Sequence, residues 1–359
     1  MSKLKIYPDR IVSNIEKLNR FCQQKDRKWS LVTKVLSGHK PTLEKILCSD
    51  AVSHVHSVGD SRVSSLRTIK SLNDEVQTMY LKPPAKSYLK NVVKYADISL
   101  NTDYVTIKAL NEESKRQGKK HKVLIMIEMG ELREGVVREH FLDFYSKVFR
   151  FENIEIVGLG TNLGCMYGIE PTFDKLIQLC LYKQLIDVKY EVNLELVSGG
   201  SSITLPLLSK GKVPEGINHM RIGEAAFFGV SPLDGKRFSQ LSTNAFEFEG
   251  DIIELERKSD QPDGVMGDAS IGEISSPQEN GLSSSFRAIV DFGIIDVDAK
   301  NLSPKDKQVD FIGTTSDVTV YDVGMNLKGY KTGDHLLFNP NYMAVARLMN
   351  SKFVSKFIA

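Results

Sequence analysis

Between residues 29 and 222, short apolar runs alternate with helical stretches, and this rhythm constrains the fold more than any other feature of the sequence. The eight runs lie at 29–36, 52–58, 76–82, 96–100, 122–129, 154–161, 191–198 and 218–222. Several are continuously apolar, as in Val123-Leu124-Ile125-Met126-Ile127, which is typical of strands that are covered on both faces. Eight strand–helix units in a stretch of this length predict a (β/α)8 barrel.

A doubly wound open sheet would show the same rhythm and is the alternative fold. Such a sheet usually carries a glycine-rich GxGxxG turn directly after its first strand. Here Lys34 and Gly38 follow the first apolar run instead, so the barrel is favoured.

The rhythm ends at a turn-rich segment, Ser231-Pro232-Leu233-Asp234-Gly235. Further β-like runs follow at 246–255, 286–295, 318–323 and 335–338, with a predicted surface loop at 264–285. We therefore predict an α/β fold class, with a (β/α)8 barrel over residues 1–235 and a mostly β C-terminal domain over 236–359.

The composition excludes several classes of function. With 47 basic and 45 acidic residues the formal net charge is +2, so no charge excess indicates a nucleic acid or a membrane surface as partner. The chain has no apolar run of the ~20 residues that a membrane helix needs, and its start lacks the apolar core of a signal peptide. Because the four cysteines show no metal-ligand spacing, we expect reduced thiols, no metal site and a cytoplasmic protein.

Lys34 ends the first apolar run, Trp29-Ser30-Leu31-Val32-Thr33-Lys34. A lysine at the end of a buried strand loses water, and desolvation lowers a lysine pKa towards neutrality. A neutral amine is what Schiff-base chemistry requires. The alternative is a strand-end lysine that extends its charge into solvent.

Ser198-Gly199-Gly200-Ser201-Ser202 follows the seventh run and precedes a short helix. Its glycines let the backbone approach a ligand, and its N–H and hydroxyl groups can bind an anion at a helix start. The loops after the seventh and eighth strands are also where barrels often bind phosphate. The alternative is a flexible loop with a serine helix cap.

Arg221 lies in the eighth run, where a buried guanidinium needs an acceptor. A pyridine nitrogen would serve, and a salt bridge with Glu224 or another acid is the alternative. A lysine, a phosphate cradle and an arginine together fit pyridoxal 5′-phosphate held as a Schiff base. An aldolase would also combine a lysine with a phosphate loop, but there the lysine usually stands on a late strand.

The order and spacing of these segments resemble the alanine racemase group of barrel-type pyridoxal phosphate enzymes, and most of all its ornithine racemase-like branch. The resemblance covers nearly the whole chain and is carried by Lys34 in Val-Thr-Lys-Val, Gly59-Asp60-Ser61-Arg62, 128–135, 160–165, 198–202, 218–224, 291–298 and 313–322.

By this resemblance Lys34 is the cofactor lysine and one racemisation base. Arg133 would approach the phenolic oxygen of the cofactor or the substrate carboxylate, and Asn162 takes the place of a histidine beside the ring. The remaining cofactor contacts would come from Ser198, Gly199, Gly200, Ser201 and Ser202 at the phosphate and from Arg221 at the ring nitrogen. Ile222 and Gly223 would be further cofactor-binding residues. The resemblance also implies a homodimer with shared active sites.

One departure concerns the second base, which alanine racemases supply as a partner-chain tyrosine in Gly-Tyr-x-Asp-Gly. The aligned stretch here is Gly293-Ile294-Ile295-Asp296-Val297, and an isoleucine cannot transfer a proton. Asp296 and Cys165 are the candidate catalytic replacements, with Tyr167 as a third. Asp296 could instead be a turn residue that bonds its own backbone, and Cys165 a buried inert thiol.

The resemblance implies an amino-acid racemase that interconverts L and D forms through loss of the Cα proton, with ornithine or another basic amino acid as substrate. Two alternatives stay open. A non-catalytic pyridoxal phosphate-binding protein of this superfamily would lack a second domain, whereas this chain continues well beyond residue 235. A decarboxylase of the same fold is usually longer and has a different phosphate motif.

Overall fold

The computed structural model describes residues 2–265, 272–274 and 284–359. The chain forms two compact units, one of Asp9–Thr243 and one that joins Met1–Pro8 to Asn244–Ala359. The domain boundary expected at 235/236 stays a prediction. Most of the surface loop expected at 264–285 lies outside the described residues.

Strand β1 (Lys3–Ile6) and helix α1 (Pro8–Gln24) open the chain. The next eight strands close a parallel barrel: β2 (Lys28–Val32), β3 (Ser57–Asp60), β4 (Thr78–Tyr80), β5 (Ile98–Asn101), β6 (His121–Met126), β7 (Ile154–Gly160), β8 (Leu196–Ser201) and β9 (His219–Ile222). Strand β9 completes the ring against β2, with Leu31 beside Ile222. The predicted (β/α)8 barrel is confirmed.

The barrel strands alternate with helices α2 (Lys40–Leu47), α3 (Val63–Leu72), α4 (Leu89–Tyr95), α5 (Tyr104–Arg116), α6 (Phe141–Val148), α7 (Phe173–Tyr190), α8 (Leu205–Ser209) and α9 (Glu224–Phe228). Two elements differ from the prediction. The second apolar run begins as a 3₁₀ turn, Asp50–His54, before strand β3. The apolar spacing of residues 134–149 predicts a helix from Glu134 to Phe149. The helix begins only at Phe141, because residues 127–137 form a long loop in which Val136 pairs with Ile127.

Apolar side chains from successive strands pack into one buried cluster: Met79, Ile98, Leu100, Leu124, Met126, Val157 and Leu196. Because each of these residues is at most 5% exposed, they account for the continuously apolar sequence of the strands. The cluster holds the strands in register, so the loops at their carboxyl ends start from fixed positions.

The second unit is mostly β, as predicted, and its sheet is mostly antiparallel. Its strands are β10 (Phe246–Ser259), β11 (Glu273–Ile274), β12 (Ser284–Val290), β13 (Leu302–Pro304), β14 (Asp310–Thr314), β15 (Thr319–Asp322), β16 (His335–Pro340) and β17 (Ser355–Ile358), with helix α10 (Tyr342–Leu348). The sheet order is β11-β14-β15-β12-β10-β1-β17, and β16 pairs with both β10 and β13.

Strand β1 is an element that the sequence did not predict. It lies between β10 and β17, with Leu4 and Ile6 fully buried. On the other face Lys3 bonds the carboxylate of Glu249 at 3.0 Å, and Lys5 pairs with the same carboxylate. The first residues of the chain therefore complete the sheet of the second unit.

No helix within the described part of the chain is both long enough and apolar enough to cross a bilayer.

Candidate active site

Lys34 stands at the carboxyl end of the barrel, just beyond the first barrel strand. Strand β2 ends at Val32, and Lys34 opens a 3₁₀ turn with its side chain exposed. The expectation of a strand-borne, desolvated lysine is therefore wrong in this structure. The backbone explains the difference: the Thr33 N–H still bonds the strand β3 carbonyl of Gly59 at 2.8 Å, whereas the Leu36 N–H turns back to Thr33 at 2.9 Å.

A buried carboxyl holds this turn from the neighbouring strand. The Thr33 hydroxyl donates to Asp60 at 3.1 Å, and the Arg62 N–H donates to the other oxygen of Asp60 at 2.9 Å. Burial raises the pKa of Asp60 to about 6, against the opposing effect of these hydrogen bonds. Asp60 lies in a stretch that carried the resemblance, but nothing in the sequence alone indicated its contact with the residue before Lys34.

Glu224 lies beside Lys34 because their strands are neighbours. Gly223 packs so closely on strand β2 that a Cβ there would lie 3.1 Å from Val32 Cβ. Glu224 follows directly and is half-buried. Burial raises its pKa, and the charge of Lys34 partly opposes that rise. The carboxylate therefore interacts with Lys34, and Arg221 does not use Glu224 as a hydrogen-bond partner.

Arg221 is buried on strand β9, and its guanidinium is held by three neighbours. It donates to the Ser198 carbonyl and hydroxyl, to the Thr161 carbonyl at 2.6 Å, and to the Asn162 side-chain oxygen at 2.8 Å. Burial lowers the pKa of Arg221 to about 10, so the group remains protonated near neutral pH. Among the described residues, none of these acceptors is a carboxylate.

The network continues from Asn162 to the loop after strand β6. The Asn162 amide donates to Glu134, whose carboxylate also pairs with Arg133. Burial alone would raise the pKa of Glu134, but the Arg133 hydrogen bond and the nearby charges lower it overall. Arg133 in turn lies near the Cys165 thiol, which donates a weak hydrogen bond to the Leu163 carbonyl at 3.7 Å. The structure thus brings together five residues selected from the sequence: Ser198, Arg221, Asn162, Arg133 and Cys165. Glu134 links them, although nothing in the sequence indicated this role.

Glu131 was also missed, and it organises the loop that carries Cys165. Only 2% exposed, its carboxylate accepts backbone N–H groups from five residues of the loop after strand β7: Gly164, Cys165, Met166, Tyr167 and Ile169. Burial alone would raise its pKa, but these hydrogen bonds lower it overall. Nothing in the sequence around Gly130 and Glu131 indicated that this glutamate would bind the loop after strand β7.

The segment 198–202 divides into two parts. Ser198 contacts Arg221, whereas the Ser201 hydroxyl caps a 3₁₀ turn, Ser202–Thr204, in a capping box. The Ser202 hydroxyl accepts the Ala225 N–H at 3.1 Å, which ties this turn to the start of α9.

The two central glycines of this segment are needed for packing. A Cβ on Gly200 would overlap the Met220 sulfur at 1.8 Å, and one on Gly199 would lie 2.7 Å from Ile217. The phosphate role of the whole segment stays a prediction.

Asp296 lies in the second unit and not on a strand. The Asp296 N–H bonds the Gly293 carbonyl at 3.0 Å, so residues 293–296 form a turn. Ile294 and Asp296 therefore do not share one face of an extended strand, as residues two positions apart on a strand would. The Asp296 carboxylate accepts the Ser351 hydroxyl at 2.6 Å. Its catalytic role stays a prediction.

Taken together, the fold and the site define a two-unit barrel protein with a lysine, an arginine network and a thiol at the carboxyl ends of the strands. Residues 6–232 match the family model described as alanine racemase, N-terminal domain. The chain is 32% identical to an ornithine racemase from Acetoanaerobium sticklandii over 99% of this chain and 98% of that one. It is 34% identical to a lysine racemase from Thermotoga maritima over 83% of each chain.

The fold also matches a solved alanine racemase from Bartonella henselae with covalently bound pyridoxal phosphate. The TM-score is 0.71 at 16% identity, over 100% of this chain and 99% of that one. The chain belongs to the alanine racemase family.

Proposed function

We propose that the protein is a pyridoxal 5′-phosphate-dependent racemase of amino acids with a cationic side chain. The observation that carries this proposal is the placement of two cationic residues at the carboxyl ends of neighbouring strands. Lys34 follows strand β2, and the buried, still protonated Arg221 lies on strand β9. The relatives named ornithine racemase and lysine racemase support the reaction and the substrate class.

The residues at this end of the barrel suit the cofactor. Arg221 is a buried donor whose neighbours include only neutral acceptors, so an aromatic ring nitrogen would complete its environment. The Thr161 hydroxyl is buried and makes no hydrogen bond within the described residues, which leaves a polar group for a ligand. Ser201 and Ser202 would bind the phosphate together with the adjoining helix starts.

When bound, the cofactor withdraws electrons from the substrate Cα and makes its hydrogen acidic. Lys34 then removes a proton from Cα or returns one to it. Because Arg221 keeps its own proton, it would donate a hydrogen bond to the ring nitrogen of the cofactor and would not protonate it. The reaction balances with one proton taken from Cα and one returned, and it needs no oxidant.

Racemisation requires a second acid–base group, and we propose Cys165 for that role. Its thiol lies at the same end of the barrel, is exposed, and lies near Arg133. A cysteine side chain at this place can give a proton as the thiol and take one as the thiolate. Asp296 remains the rival, supplied from the second unit of a partner chain.

Glu224 is the residue that we propose to recognise the side chain of the substrate. It is a half-buried carboxylate beside Lys34, and its rise in pKa comes from lost solvation. A cationic substrate side chain near Glu224 would stabilise the negative charge of the carboxylate in place of the lost water. This accounts for a preference for ornithine or lysine over alanine.

We propose a homodimer, in keeping with the family. The loops at the mouth of the barrel expose four large apolar side chains in the single chain: Leu132 at 69%, Val137 at 53%, Met166 at 57% and Tyr167 at 61%. Such a rim is typical of a surface that another protein chain covers. Sedimentation equilibrium tests this proposal, and a monomer at all concentrations would contradict it.

The test of function is racemisation in D₂O with added cofactor. We expect each enantiomer of ornithine or lysine to yield the other, with deuterium at Cα, and faster than alanine does. Chiral chromatography and proton NMR measure both quantities. Cofactor binding without exchange at Cα would indicate a binding protein, and release of carbon dioxide would indicate a decarboxylase.

A further inference from the structure

Four buried polar side chains form a continuous hydrogen-bonded chain inside the barrel. The Ser57 and Ser30 hydroxyls lie 2.7 Å apart, and Ser30 lies 2.9 Å from His219 Nε2. On its other side, His219 Nδ1 lies 2.7 Å from the Ser198 hydroxyl, which also contacts Arg221. All four side chains are at most 1% exposed. The chain therefore leads from the barrel interior to the guanidinium of the site.

The guanidinium fixes the direction of every hydrogen in this chain. Arginine only donates, so the Ser198 oxygen accepts from Arg221 and has one hydrogen left to donate. Among the described residues the only other hydrogen-bond partner of this hydroxyl is His219 Nδ1, so the Ser198 hydrogen finds an acceptor only when Nδ1 is unprotonated. A neutral His219 carries its hydrogen on Nε2 and donates to Ser30, which donates to Ser57.

The surroundings of His219 keep it neutral. Burial lowers its pKa well below the ordinary value, and the nearby His56, Arg221 and Lys28 lower it further. The His56 ring packs edge-on with its centre 4.9 Å away. A protonated His219 would also have to donate from Nδ1 to Ser198, which would leave the Ser198 hydrogen without its acceptor.

We propose that His219, as the neutral tautomer with its hydrogen on Nε2, is a positioning residue that orients Arg221 through Ser198. One part of this proposal rests on the proposed function: that the group towards which Arg221 is oriented is the ring nitrogen of the cofactor. Without the imidazole, Ser198 can turn its hydroxyl, and the guanidinium loses a directed acceptor. His219 touches neither substrate nor cofactor in this role.

The first test is nitrogen NMR of histidine side chains in the full-length protein, with and without the cofactor, assigned with His219→Gln. We expect the His219 signals of a neutral ring with protonated Nε2 from mildly acidic to mildly basic pH. A cationic ring, or a hydrogen on Nδ1, overturns the proposal. This result does not depend on whether the protein racemises anything.

The second test compares variants by the guanidinium NMR signals of Arg221 and by kinetics. His219→Leu removes both ring nitrogens, whereas His219→Gln keeps one acceptor and one donor on the same side chain. We expect His219→Leu to mobilise Arg221 and to lower kcat about 10-fold, as when partners that orient metal ligands are removed, with little change in KM. Compared with His219→Leu, the His219→Gln variant should keep Arg221 more ordered and should have a higher kcat.

Ile98→Val is the control, because it changes a buried barrel residue on strand β5, outside both the polar chain and the segment 198–202. If His219→Leu does not fold, Ser30→Ala interrupts the same chain at its next member and should give a smaller loss. Unchanged Arg221 signals and kcat in His219→Leu or Ser30→Ala would overturn the proposal, as would equal losses in the Gln and Leu variants. A wild-type protein without racemase activity would refute the proposed function and leave the NMR result standing.

Discussion

Arg221 shows how a single buried charge organises its neighbours. Its guanidinium donates to Ser198 on strand β8 and to Thr161 and Asn162 directly after strand β7. Through Asn162 it is linked to Glu134 and then to Arg133. The sequence predicted that this arginine needs an acceptor, but it could not predict which ones. Hydrogen-bond partners depend on which side chains converge in space, and the residues here come from four different loops or strands.

The identity of the second base can be tested at the same scale. We expect Cys165→Ser to lower racemisation at least about 100-fold, because a serine hydroxyl is a far weaker acid than a thiol. One enantiomer should still exchange its α-hydrogen with solvent through Lys34, as measured by deuterium incorporation.

Cys48→Ser is the matched control for this prediction, since Cys48 is the other exposed thiol of the barrel unit. Wild-type racemisation in Cys165→Ser would exclude the thiol. A comparable loss in Asp296→Asn, with Cys165→Ser active, would assign the role to the carboxylate.

At the scale of elements, the loops after strands β6 and β7 act as one structure because Glu131 joins them. Sequence periodicity predicted a helix from Glu134, since residues 134–149 carry apolar groups at helical spacing. The helix begins at Phe141 because the preceding residues return to pair Val136 with Ile127. The periodicity of a sequence could not reveal this pairing, because Ile127 and Val136 form a single backbone pair that belongs to no regular strand.

We expect Glu131→Gln to destabilise the folded protein by about 2–3 kcal/mol, because a neutral amide offers one acceptor oxygen where the carboxylate binds five N–H groups. Glu139→Gln, an exposed carboxylate of the same segment, should have little effect. Chemical denaturation measures both. Equal stabilities of Glu131→Gln and the wild type would contradict the role of the carboxylate.

We also expect the stability difference between the wild type and Glu131→Gln to depend on pH. The pKa of Glu131 is lowered in the folded state, so its contribution to stability is present above the ordinary glutamate pKa and is lost as the pH falls through the folded value. The stability difference between wild type and Glu131→Gln should therefore shrink in acid. If the stability difference between the two proteins stays constant as the pH falls through and below the pKa of Glu131 in the folded state, the stabilising role of the Glu131 carboxylate is contradicted.

At the scale of the whole molecule, the fold class and the family that the sequence indicated are confirmed. The barrel could be predicted because its apolar strands repeat in chain order. Strand β1 could not, because Lys3-Leu4-Lys5-Ile6 is short and its partners, β10 and β17, lie more than two hundred residues away. Long-range pairing of this kind leaves no local pattern in the sequence.

The position of Lys34 is the central claim of this account, and covalent trapping of the cofactor tests it most directly. Borohydride converts a reversible lysine–aldehyde linkage into a stable amine, and peptide mapping then locates the label. We predict a single labelled peptide that contains Lys34, with no label in Lys34→Ala and normal labelling of Lys34 in the control Lys40→Ala, an exposed lysine of the next helix. A label on any other lysine of the wild-type protein, or none on Lys34, would contradict the account.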